Sequence, residues 1–134
     1  MARYPYTLLP GIEPVAKPLI PVSINYSKTH KIIPPTFALV DSGADVNFCD
    51  MNIGIWLGIN FKNKKSRPYT AANGQQFNAF GETVHLHVFG KIFPCLFYFS
   101  SELTKAYKIV LGQNGFFNHF KITFDLNKKV MEFK

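Results

Sequence analysis

From Leu19 to the C-terminus, short apolar runs alternate with turn-forming residues, and few stretches carry the spacing of an amphipathic helix. The pattern predicts strands at Leu19–Tyr26, Phe37–Val40, Arg67–Ala71, Gln76–Phe80, Glu82–Phe89, Ile92–Phe99, Lys108–Leu111, Lys121–Asp125 and Lys129–Phe133. Asn73-Gly74 is the strongest hairpin signal, because both residues tolerate the positive φ of a primed two-residue turn. Gly90-Lys91 joins two apolar strands tightly, and Asn127-Lys128 closes a final hairpin. Two short helices are expected, Met51–Leu57 ending near Gly58 and Asn114–Phe120, neither long enough to define the fold. The expectation is an all-β domain.

Before Leu19 the pattern changes. Pro5, Pro10, Pro14 and Pro18 forbid a helix and remove ladder donors, so residues 1–18 read as an extended arm ahead of one domain at 19–134. A chain of 134 residues fits one domain, and no repeat, low-complexity tract or linker divides it. The 14 phenylalanines and 6 tyrosines suit strands and can also anchor interfaces or substrate pockets.

The net charge of +7 raises nucleic acid as a partner. The basic residues are scattered, however, apart from Lys62, Lys64, Lys65 and Arg67 in one stretch and the pair Lys128-Lys129. No basic helix or aromatic-basic signature accompanies them, so a solvated surface is expected and no nucleic-acid partner. Cys49 and Cys95 lack metal-type spacing and read as free thiols in a reducing compartment. No window reaches membrane-spanning length, and the proline-interrupted start does not resemble a signal peptide. A cytoplasmic protein without a membrane partner is expected.

Chemistry concentrates in Ala38-Leu39-Val40-Asp41-Ser42-Gly43-Ala44. A buried strand would deliver Asp41 into a loop that Gly43 lets bend sharply and that the Ser42 hydroxyl can tie to a neighbour. Peptide hydrolysis by carboxylates needs two of them, one to take a proton from water and one, protonated, to donate to the carbonyl oxygen. The other aspartates are Asp45, Asp50 and Asp125, none of which sits in a second Asp-Ser-Gly loop. A two-carboxylate mechanism therefore requires a second copy of the chain, with the site on the two-fold axis.

Plainer readings stand beside these. Asp41 could cap a turn at a strand end, and Asp45 could brace the loop or touch substrate. His85 and His87 share a strand face, as metal ligands can, but no third ligand is evident and a surface strand is the simpler account. Cys49 would need a histidine partner to act as a nucleophile. Trp56 and the phenylalanines Phe93, Phe97 and Phe99 are most simply core.

Asp41-Ser42-Gly43-Ala44-Asp45 resembles the active-site loop of retropepsins and the related non-viral, single-lobe aspartic peptidases. Ile109-Val110-Leu111-Gly112-Gln113-Asn114 is similar to the family's second signature, and Tyr69–Phe80, around Ala72-Asn73-Gly74-Gln75, lies where the family places its flap. The order of elements matches from about Leu19 to the C-terminus. The resemblance implies a closed or partly closed acid-protease β-barrel lobe with one or two short helices, paired as a two-fold homodimer. It implies an aspartic endopeptidase that cleaves extended polypeptides without a cofactor or metal.

Asp41 would be the catalytic carboxylate, sharing one proton with its dimer mate. Ser42, Gly43 and Ala44 would complete the loop, with Ser42 interlocking with the opposite subunit. Gly43, Asp45, Ala72, Asn73 and Gly74 would contact a substrate bound as an added strand, and Leu111, Gly112 and Asn114 would form the second signature. Gln113 departs from the arginine usual in viral members, which pairs with the aspartate matching Asp45. The single flap glycine and long closing hairpin Lys121–Phe133 also differ, the latter resembling non-viral relatives. On this reading the arm is a disordered leader, a strap along the dimer edge or a segment removed by self-cleavage. The rival reading is a non-catalytic dimeric module that grips peptides on the same fold.

Overall fold

The computed structural model describes residues 1–103 and 106–134. In order, the described elements are β1 (Ala2–Pro5), β2 (Thr7–Leu9), β3 (Val15–Lys17), β4 (Leu19–Tyr26), β5 (Lys31–Ile32), β6 (Thr36–Val40), β7 (Asn47–Asp50) and α1 (Met51–Trp56). There follow β8 (Arg67–Thr70), β9 (Gln76–Val88), β10 (Lys91–Ser100), β11 (Ile109–Leu111), a 3-10 turn at Phe117–His119, β12 (Ile122–Asp125) and β13 (Val130–Phe133). Six of these strands close a barrel: β4, β6, β11, β7, β10 and β9 are hydrogen-bonded in that order, and β9 returns to β4. The seam pairs Ser23 with His87, Ile24 with Leu86 and Asn25 with His85.

Alternation along β4 shows why the barrel forms. Ile20, Val22, Ile24 and Tyr26 are buried, and the residues between them are only partly so. The inward row meets Leu86, Phe97, Phe99, Ile109 and Leu111, with Leu57 of the post-helix turn and Phe116, Met131 and Phe133 filling the end. Each such side chain contributes about 1.5–3 kcal/mol on burial. A second sheet, β1-β13-β12, carries the chain ends, with Ala2 opposite Phe133 and Pro5 opposite Val130. No described helix is long and apolar enough to cross a membrane.

The structure differs from the sequence expectations in several places, each with a local cause. The barrel needs β7, which the apolar pattern did not predict, because Asn47 and Asp50 interrupt the run. β9 is one strand where two were expected. Gly81 does not break it, because the Tyr98 ring of the neighbouring strand covers that glycine; a Cβ there would lie 3.0 Å from the ring.

The turns exchange roles. Asn73-Gly74 is not a primed two-residue turn. Gly74 N donates to Ala71 O at 2.9 Å and Ala71 N to Gln75 O at 2.8 Å, and Gly74 alone is left-handed, at φ 84°. That is a three-residue loop with a glycine bulge. The two-residue turn with both φ positive is instead Phe89-Gly90, at 50° and 75°. Phe89 accepts this conformation because its ring packs 4.8 Å from Phe133. The Lys121–Phe133 hairpin closes through Leu126–Lys129, with Lys129 at φ 53°.

The expected helix Asn114–Phe120 shrinks to its 3-10 turn. Gly115 sits at φ 119°, outside any helical conformation, and Asn118 Oδ1 takes its N–H at 3.1 Å. The expected Met51–Leu57 helix is present as α1, capped by Asp50, whose Oδ1 accepts from Asn52 N at 2.8 Å. The first residues are strand β1 and a two-stranded ribbon, β2–β3, with Pro10 and Pro14 in the loop between its strands.

Candidate active site

β6 delivers Asp41 to the end of the barrel. Val40 N donates to Pro18 O and Asp41 N to Leu111 O, each at 2.9 Å, so the strand is held on both sides up to its last residue. Beyond it the chain bends back on itself. Gly43 N donates to Asp41 Oδ1 at 2.9 Å and Ala44 N to Asp41 O at 3.1 Å. The carboxylate is thus oriented by its own loop. Ser42 is exposed, and its hydroxyl has no hydrogen-bond partner among the described residues; the same holds for the Gly43 carbonyl and the Asp45 carboxylate.

Leu111, Gly112, Gln113 and Asn114 run alongside this loop and are stitched to it. Gln113 N donates to Ala44 O and Asn114 N to Asp45 O, both at 2.9 Å. Glycine is demanded at 112. A Cβ there would stand 2.2 Å from Val46 O and 2.7 Å from Ala44 O, which no side chain can occupy. The Gln113 side chain does not turn to Asp45; its Nε2 donates to Ser42 O at 2.7 Å. The Gln113 amide therefore braces the backbone of the Asp41 loop.

Sequence reasoning missed Asn47. This side chain is wholly buried, and its amide spans three segments. Its Oδ1 accepts from Gly112 N at 2.8 Å, while its Nδ2 donates to Cys95 Sγ at 2.9 Å and Leu96 O at 3.4 Å. Cys95 Sγ in turn donates to Gly115 O at 2.8 Å. A fully satisfied buried amide of this kind fixes the register of everything it touches. The available signal was a polar residue set between Val46 and Phe48, immediately after the Asp-Ser-Gly loop.

The cysteines are inert. Burial, followed by the neighbouring Asp50 charge, holds the Cys49 thiol well above its usual range. Burial pushes Cys95 up to about 12, moderated by the Asn47 amide. Neither is a thiolate at neutral pH. His87 Nε2 contacts Asn25 Oδ1, and His119 stacks on Phe93 at 4.1 Å. Among the described residues no three His, Cys, Asp or Glu side chains come together to hold a metal ion.

The β8–β9 hairpin stands apart from this network. Ala72, Asn73 and Gly74 are exposed at its tip, where Asn73 Oδ1 accepts from Gln75 N at 3.0 Å and Asn73 Nδ2 reaches Gln75 Oε1. Its stem rests on a separate aromatic cluster outside the barrel core. Phe48 packs edge-on to Tyr69 at 5.1 Å and Phe77 at 5.3 Å, and Tyr69 meets Tyr98 at 5.2 Å. Ala44, Val46 and Val110 complete this cluster, so the hairpin stem and the Asp41 loop share an apolar floor.

Beside that floor lies a cavity of about 750 Å³, lined by Asp45, Arg67, Tyr69, Tyr98, Gln113 and Asn114 among others. The Arg67 guanidinium lies over both tyrosine rings and donates to the Tyr98 hydroxyl at 3.0 Å. Burial, followed by the Tyr98 hydroxyl, raises the Tyr69 phenol to about 12.

The structure thus joins Asp41, Ser42, Gly43, Ala44 and Asp45 with Leu111, Gly112 and Asn114, and leaves the hairpin tip unbonded to them. A closed six-stranded barrel with an Asp-Ser-Gly loop at a strand end, clamped to the strand-and-turn that precedes the C-terminal hairpin, defines the lobe fold of single-lobe aspartic peptidases. Solved structures share it. A retropepsin-like aspartic protease from Rickettsia conorii superposes with a TM-score of 0.59 at 20% identity, over 84% of this chain and 88% of that one. The retroviral protease-like domain of Ddi1 from Leishmania major gives 0.59 at 17% identity, over 90% of each. EIAV protease, complexed with the inhibitor HBY-793, gives 0.53 at 18% identity over 72% of this chain and 81% of that one. The two non-viral structures cover more of the chain than the viral one does. No family model and no curated protein matches the sequence. The chain has the retropepsin-like fold.

Proposed function

We propose that the chain is an aspartic endopeptidase whose site is completed by a second copy, with one Asp41 from each. The observation that carries this is the state of the four aspartates. Asp50 caps α1, Asp125 accepts from Lys128 N in the closing turn, and Asp45 lines the side cavity. Asp41 stands where β6 leaves the barrel, part-exposed, with its carboxylate accepting from its own loop. Brought together across a two-fold axis, two such carboxylates share one proton, because both cannot ionise cheaply at close range. The ionised one takes a proton from water, and the protonated one donates to the carbonyl oxygen of the scissile bond.

The unpartnered groups around Asp41 fit the same reading. The Ser42 hydroxyls are free to interlock across the axis. The Gly43 carbonyl and Asp45 are free to meet the main chain of an extended peptide, and Ala72, Asn73 and Gly74 would close over it. Leu111, Gly112 and Asn114 act as the clamp that holds the loop. Two buried, unpaired cysteines suit a reducing compartment, and the cytoplasm is the proposed location.

The test is Asp41→Asn, assayed on a mixed peptide library from acidic to neutral pH alongside the unmodified protein. Loss of cleavage with the fold and dimer retained is expected. Equal cleavage by both proteins would rule the reading out. Saturable peptide binding with no cleavage by either would favour the rival peptide-gripping module.

A further inference from the structure

The cavity of about 750 Å³ beside the Asp41 loop holds two opposite charges that do not meet. Asp45 reaches it from the Asp41 loop, and its carboxylate has no hydrogen bond among the described residues. Arg67, the first residue of β8, reaches it from the base of the hairpin stem. Its guanidinium lies over the Tyr69 and Tyr98 rings and gives one N–H to the Tyr98 hydroxyl. A guanidinium carries five N–H donors. Among the described residues no carboxylate stands within ion-pair distance of this one. Lys64 of the same basic stretch is paired with Glu82, and Arg67 is the one lysine or arginine that lines the cavity.

The position of the cavity says what would enter it. Asp45 follows Asp41 by four residues, so the two are at most about 14 Å apart along the chain. The loop bends back between them, which shortens that span. Arg67 lies opposite Ala79 in the stem of the hairpin that carries Ala72, Asn73 and Gly74 at its tip. An extended polypeptide lying across Asp41 and beneath the hairpin leaves the cleft between Asp45 and that stem. There Asp45 can accept a main-chain N–H, and a side chain turned toward β8 meets the unused donors of Arg67.

We propose that Arg67 determines specificity, selecting polypeptides with a glutamate or aspartate within about four residues of the cleaved bond. This rests on the peptidase reading and adds a substrate class to it. The two tyrosine rings steady the guanidinium from one side and leave its remaining N–H groups for a two-pronged grip on a carboxylate. A doubly charged phosphate suits the cavity less, because Asp45 shares it and no second lysine or arginine offsets the extra charge. The net charge of +7 draws acidic segments toward the chain before they bind.

The test measures kcat/KM on paired peptides that differ only by Glu or Gln at one position, scanned up to about four residues either side of the cleaved bond. The unmodified chain should favour Glu by about 10-fold at one position, and by less as salt is raised. Arg67→Gln should remove that preference and Arg67→Lys should keep part of it. Arg67→Glu should replace it with a preference for Lys over Gln at the same position. The reversal guards against a folding defect, because a loosened hairpin lowers all rates without inverting a preference. No preference for Glu in the unmodified chain, or one that survives Arg67→Gln, overturns the assignment and leaves the peptidase standing. A phosphoserine peptide cleaved faster than its Glu counterpart also overturns it, in favour of a phosphate. If no protein cleaves any peptide, the peptidase reading fails by itself, and binding of the same pairs decides the role of Arg67. Tighter binding of Glu than of Gln by the unmodified chain, lost in Arg67→Gln, upholds the subsite; equal or absent binding ends it.

Discussion

The Asp41 floor and the β8–β9 hairpin are neighbours over one aromatic cluster, yet they are held in opposite ways. In the floor every backbone turn is tied to another segment. Asp41 is bonded to Leu111, Ala44 to Gln113, Asp45 to Asn114 and Gly112 to the buried amide of Asn47. In the hairpin tip the bonds are local, Ala71 with Gln75 and Gly74 and the Asn73 side chain with Gln75, and only the stem is packed. A reacting carboxylate must be held still, whereas a recognition element that admits a polypeptide must be able to open. In this lobe a buried polar network holds the Asp41 loop, while the hairpin tip has only local bonds above an apolar stem.

The sharpest way to break that comparison is Gly112→Ala. The new methyl has no room between the carbonyls of Val46 and Ala44, so the two loops must part. Loss of the folded state, or destabilisation above about 4 kcal/mol by chemical denaturation, is expected. A variant within about 1 kcal/mol of the parent would mean that the floor yields as easily as the hairpin.

Asn47→Ala comes next. It strands the Gly112 N–H and the groups around Cys95, and should cost about 2–4 kcal/mol. Hydrogen exchange should show the Gly112 and Asn114 amides losing protection while the Gly74 amide is unaffected. Equal change in both places would show that the two regions are not independent.

Acid offers a milder probe through Glu82, on β9 beyond the hairpin stem. Burial would raise this carboxyl. It is outweighed by Lys64, whose ammonium lies 3.2 Å away, and by donation from the Tyr26 hydroxyl and Thr83 N–H, so the group titrates below its ordinary 4.5. A carboxyl depressed in the folded state lends stability that is present above the unfolded value. That stability is lost as pH falls through the folded one, because the unfolded chain then binds more protons. Glu82→Gln should therefore flatten the stability curve below about pH 4.5, by less than about 1 kcal/mol for a pair open to water on one side. An unchanged acid slope in urea titrations would remove Glu82 from the account. The smallest effect is expected from Asn73→Ala, a few tenths of a kcal/mol from loss of one exposed turn bond. A cost near that of Asn47→Ala would make the tip as constrained as the floor.

The strands with a regular apolar pattern bounded by turn residues were legible in the sequence. Leu19–Tyr26 was read to the residue, and β6, β10, β11 and β13 to within a residue at each end. The Asp41 loop and its companion strand were legible because both are local signals: an apolar strand, then a glycine where the backbone turns. β7 was not, because burial of Asn47 depends on partners at Cys95, Leu96 and Gly112, far away in the chain. Gly81 misled for the same reason, since the Tyr98 ring that covers it comes from the next strand. Asn73-Gly74 carried the right composition for a primed turn, but Asn73 keeps a negative φ while Phe89 takes the positive one. Ring packing on Phe133 outweighed local preference there. The short turn at Phe117–His119 is likewise set by Gly115, which is pressed so close to Asn47 that a Cβ would lie 2.4 Å from its amide nitrogen.

That Asp41 is half of a site is the central claim, and mixing tests it most directly. Unmodified chain and Asp41→Asn chain would be combined at fixed total concentration, refolded together and assayed for peptide cleavage. If each site needs one Asp41 from each copy, activity falls as the square of the unmodified fraction, to about a quarter at equal proportions when pairing is random. Activity proportional to the unmodified fraction, or no cleavage at any proportion, would contradict it.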